Sequence, residues 1–95
     1  MTDRIALGRR AASLLEDQTF NEVLDVIKAD LVNAWAASPA TDRDTRESFY
    51  LAHRAIGSVR AELAKMRDEA LMAEAQAEQA EQDRRFSAQN MVSDE

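Results

Sequence analysis

Ten apolar side chains alternate three and four residues apart through the second half of this sequence: Phe49, Ala52, Ile56, Val59, Leu63, Met66, Ala70, Ala73, Ala77 and Ala80. A 3-4 alternation averages 3.5 residues and holds every member on one stripe of one helix. A strand alternates every second residue, so this pattern excludes a sheet over the same stretch. The spacing predicts a long helix over about 42–85, capped by Thr41 or Asp42, with a coiled-coil-like seam. Past Met66 the seam is alanine alone. Alanine favours helix but buries little, so the distal half is expected to be helical by propensity more than by packing.

Two further helices precede it. Thr2 or Asp3 is placed to cap a short helix ending near Glu16, with Gly8 weakening its middle. Thr19-Phe20-Asn21-Glu22 has the spacing of a capping box, which predicts a second helix over about 20–36. Phe20, Leu24, Ile27, Leu31 and Ala34 share its apolar face. Pro39 lies in the one clear linker, Ala37 to Thr41, and biases Ser38 away from helix. The expected architecture is all-α: a helical hairpin with a short N-terminal helix and a long C-terminal one. Residues 1–66 form the body, 67–86 a projecting acidic Ala/Glu/Gln-rich helix, and 87–95 a loose tail.

The geometry implies an uncovered seam. A second helix of about 17 residues spans roughly 25 Å, whereas the third spans roughly 60 Å. The second helix therefore reaches only about residues 45–63, and the first is expected to cover part of the hairpin without following the projection.

Charge narrows the function. The net charge is −6, with the acids concentrated after Arg67. An acidic chain is a poor backbone binder of nucleic acid, and no direct nucleic-acid contact is expected. No apolar run approaches the roughly 18 residues of a membrane span, and no leader-like h-region follows Met1. Cysteine is absent, and His53 is the only histidine. That removes a thiol nucleophile and leaves no metal motif. Ser48, five residues before His53, is poorly placed to pair with it. No catalytic residue, cofactor site or metal site is read. Glu74, Glu78 and Glu81 share a helix face, which reads as a solvated charged surface.

The candidate partner-binding residues are of three kinds. Arg46, Arg60 and Arg67 recur with His53 every seven residues beside the seam, as a basic stripe that either solubilises it or docks an acidic surface. Met66, Ala70, Ala73 and Ala77 form the seam beyond the reach of helix two. Trp35 and Tyr50 flank the Pro39 turn with Phe49, as a plug for the hairpin end or as an exposed anchor.

The segment from Ala11 to Leu24, AASLLEDQTFNEVL, followed by Trp35, Pro39 and Thr41-Asp42 and then by Phe49 to Leu63, resembles small helical proteins encoded by tailed bacteriophages and prophages. The likeness covers about residues 10–66. Such proteins are commonly encoded near head and packaging genes, and most lack an assigned activity. The resemblance implies a phage origin and a virion or assembly role, with the host cytoplasm as the site of assembly. It carries no catalytic residues.

The expected function is therefore a non-enzymatic structural or assembly protein. It docks by helix–helix contacts onto a larger head or neck assembly, or onto copies of itself, with protein partners and an oligomeric state. The alternative is a small acidic inhibitor or DNA mimic that binds a host nucleic-acid enzyme, motivated by the acidic tail. A DNA-binding regulator or small terminase subunit fits less well, because the first two helices are not basic.

Overall fold

The computed structural model describes residues 3–93, which form three helices and no strand: α1 (Arg4–Glu16), α2 (Gln18–Ala37) and α3 (Arg43–Ser93). Each start is fixed by an aspartate. The Asp3 carboxylate accepts from the Ile5 and Ala6 N–H groups at 3.0 and 3.3 Å, satisfying donors that an α-helix leaves free in its first turn. Asp42 does the same for α3, accepting from the Thr45 N–H at 3.2 Å.

Asp17 both ends α1 and begins α2. Its N–H donates to the Leu14 carbonyl at 3.1 Å, and its carboxylate accepts from the Phe20 N–H at 2.6 Å. The capping box expected at Thr19 is therefore not used: α2 starts at Gln18, and Thr19 lies already inside the helix. Asp17 takes the role because it stands three residues before Phe20 with an extended backbone (φ −74°, ψ 120°). The Asn21 side chain then ties the joint, donating to the carbonyls of Leu15 and Asp17 at 2.8 and 2.9 Å.

This one-residue joint decides the architecture. Two helices that fold back on each other need a loop of about two to five residues, and Asp17 alone does not provide one. α1 and α2 therefore touch each other little and follow one another along the same side of α3. The Pro39 turn reverses the chain, so both run antiparallel to α3. α2 lies beside its first part, where Arg60 reaches Asn21 and Asp25. α1 continues the line, with Gly8 against Met66 and Ala70 and with Arg9 paired to Glu74.

Two expectations need correction here. α1 does reach the end of the body, lining a groove with Leu63 and Met66, but it also follows the start of the projection to Ala70 and Glu74, because the joint sets it in line beyond α2. The seam at Met66 and Ala70 is accordingly sheltered by the chain itself. The long helix, expected to end near residue 85, instead continues to Ser93, through most of the segment read as a loose end. No glycine or proline interrupts that stretch, and Ala88, Gln89 and Met91 favour helix. The last two residues of the expected tail lie outside the described residues.

The packing is thin. Among the described residues, Ala11, Leu24 and Ala70 are the buried large or methyl-bearing apolar residues, at 2, 7 and 3% exposure. Phe20, Leu31, Phe49, Ile56, Leu63 and Met66 are only half-buried. Two layers of single helices cannot enclose a side chain from all directions. The molecule measures 83 × 26 × 22 Å, with a radius of gyration of 22.7 Å; a compact domain of this length has about 12 Å.

Candidate docking surface

The hairpin end is held by Arg46. Its guanidinium stacks 4.3 Å above the Trp35 ring centroid. The same group donates to the carbonyls of Trp35 and Ser38 at 3.3 and 3.2 Å and to the Ser38 hydroxyl at 3.3 Å. It thereby adds a donor at the Trp35 carbonyl, which also accepts from the Ser38 N–H and hydroxyl, and meets the negative pole of α2. Seven residues before His53, Arg46 is thus a clamp between α2 and α3.

Arg60 is the second clamp. It donates through Nε to Asn21 Oδ1 at 3.2 Å and through Nη2 to the Asn21 carbonyl at 2.8 Å and Asp25 Oδ1 at 2.9 Å. Arg67 pairs with its neighbour Asp68 at 3.0 Å. The basic stripe expected as a surface for an acidic partner is therefore engaged within the chain at Arg46 and Arg60. The recurrence every seven residues reflects the flank of α3 that faces α2, where an arginine can reach back to the neighbouring backbone.

The aromatics border an open cleft of about 140 Å³ lined by Leu31, Val32, Trp35, Phe49, Tyr50 and His53. Phe49 points inward and is half-buried, whereas Trp35 and Tyr50 keep 42 and 56% of their surface exposed. Of the seam residues, Ala70 is buried against Gly8, Met66 and Ala73 are half-buried, and Ala77 is exposed. Glu74 pairs with Arg9 at 2.9 Å, and Glu81 pairs with Arg84 and Arg85. Glu78, between them, is exposed.

Apart from Tyr50, which also borders the cleft with Leu31, Val32 and Trp35 of α2, the 3-4 spacing of the sequence does not single out the face of α3 turned away from α1 and α2. Tyr50, Leu71, Met72 and Phe86 are 56, 58, 63 and 64% exposed. A β-carbon built on Gly57 finds no atom within 4 Å. The signal was present in the spacing: Tyr50 and Phe86 are 36 residues apart, ten turns at 3.6 residues per turn. It was masked by the more regular alanine seam, which runs on the opposite side of the helix.

Among the described residues, no group of three or more His, Cys, Asp and Glu is placed to hold a metal ion, and no helix is long and apolar enough to cross a membrane. Comparison with protein-family models, with curated proteins and with solved structures gives no match.

Proposed function

We propose that this chain is a non-enzymatic structural or assembly protein of a tailed-phage particle. It docks by helix–helix contacts onto a larger head or neck assembly or onto copies of itself, first in the host cytoplasm and then in the virion. The phage assignment rests on the sequence resemblance. The docking role is supported by one observation above others: the surface area is 7618 Å², whereas a compact protein of this mass exposes about 5,500 Å². Among the described residues, twelve large apolar side chains from Leu14 to Phe86 are more than a third exposed, and where such exposed apolar surface is contiguous it marks an interaction site.

A DNA-mimic role is less well supported. Mimicry needs carboxylates free to imitate phosphates, and Glu74 and Glu81 are paired with Arg9, Arg84 and Arg85. The deciding experiment is mass spectrometry of particles purified from cells that produce this chain. The proposal expects the chain in the particle fraction at a fixed ratio to the main head or neck proteins. Its restriction to the soluble lysate, with no particle-assembly defect on deletion, would overturn the proposal.

A further inference from the structure

We propose that the uncovered face of α3 receives α3 of a second copy of this chain, running antiparallel. The inference rests on the reading of this protein as one that docks through its helices, and adds the identity and direction of one partner.

Position comes first. Tyr50 and Phe86 lie on one line of α3, and Leu71 and Met72 straddle that line between them. The stripe is roughly 54 Å long at 1.5 Å per residue. Gly57 lies on the same face with open space where a β-carbon would stand, so another helix can approach closely there.

Charge sets the partner and its direction. On this face the first half of α3 carries Arg43, Arg54 and Lys65 against Glu47, all exposed and turned away from α1 and α2. The second half carries Asp68 and Asp83 on the same face. An antiparallel pair lays the cationic half of each copy along the acidic half of the other. A parallel pair would stack the two acidic halves. With the two-fold axis at residue 68, midway along the stripe, Tyr50 of one copy stands opposite Phe86 of the other at both ends. Asp68 then lies at the axis with its own counter-ion, Arg67, at 3.0 Å.

The chain has no cysteine, so single thiols report the pairing cleanly. Packed helices lie about 8–10 Å apart, within reach of a short bis-maleimide. Asp68→Cys is expected to crosslink to itself. Tyr50→Cys mixed with Phe86→Cys is expected to give the mixed product, while neither gives a product with itself. Adding Leu71→Asp should abolish every crosslink with the helical circular dichroism retained. Self-crosslinking of Phe86→Cys would overturn the antiparallel direction. No crosslink at any position, or crosslinks that survive Leu71→Asp, would overturn the second copy as occupant of this face. Crosslinks with the chain absent from particles would leave this inference standing and remove the virion role; the reverse result would do the opposite.

Discussion

Gly8 and Ala70 sit at the closest approach of α1 to α3. A methyl group on Gly8 would overlap the Ala70 β-carbon and come within 2.6 Å of the Met66 carbonyl oxygen. The contact is made by the helix that the joint at Asp17 sends along the middle of α3, beyond the reach of α2. It explains why a helix-weakening glycine occupies the middle of α1: the lost propensity permits a backbone approach that no side chain allows.

Gly8→Val should therefore undock α1, because a backbone oxygen cannot move aside as a flexible side chain does. The expected loss of stability is about 1–3 kcal/mol, the usual cost of overpacking. Gly57→Ala should act in the opposite direction, since its β-carbon meets nothing and helix propensity gains about 0.5–1 kcal/mol. Urea unfolding in the Leu71→Asp background, which removes association, checks both signs.

Arg60→Ala should cost more than Asp25→Ala. The Asp25 side chain is 68% exposed, and a surface ion pair contributes about 0–1 kcal/mol. Arg60 is 28% exposed and also holds the Asn21 carbonyl and side chain. Its removal loses those bonds and the packing of its aliphatic stem, about 1–2 kcal/mol in all. Equal losses for the two variants, measured by chemical denaturation, would place the clamp's strength in the ion pair instead.

Arg46→Gln should uncover Trp35, the only tryptophan. Its emission should shift to the red, and stability should fall by about 0.5–1 kcal/mol for the lost cation–π contact, plus a share of the hydrogen bonds at the end of α2. An unchanged emission maximum would mean that the stacking at 4.3 Å is not held in solution.

Self-association should weaken with salt. Charges across an exposed interface are screened over about 10 Å at 0.1 M and about 3 Å at 1 M. The dissociation constant should rise several-fold between those concentrations, by sedimentation equilibrium. Tightening with salt would point to an interface held by apolar contacts with like charges apposed.

The hairpin was legible because its signals are local. The alternation from Phe49 to Met66, the Pro39 break and the Asp42 cap each act over a few residues. The course of α1 was not legible. It depends on whether Asp17 or Thr19 caps α2, a choice of two residues that decides between a loop long enough to turn back and a joint that is not. The roles of Arg46 and Arg60 were hidden for a related reason. Their spacing identifies the flank of α3, but only the position of α2 shows that each reaches a backbone carbonyl. The stripe from Tyr50 to Phe86 was obscured because small and polar residues separate its few large members.

The central claim is that α3 has a face which its own chain leaves open and another chain covers. Molar mass by light scattering across a concentration series tests it most directly. The wild-type chain, 10.6 kDa as a monomer, should approach twice that mass with rising concentration, and Leu71→Asp should stay at the monomer value with its helicity intact. A wild-type chain that remains monomeric at every concentration, indistinguishable from Leu71→Asp, would contradict the account.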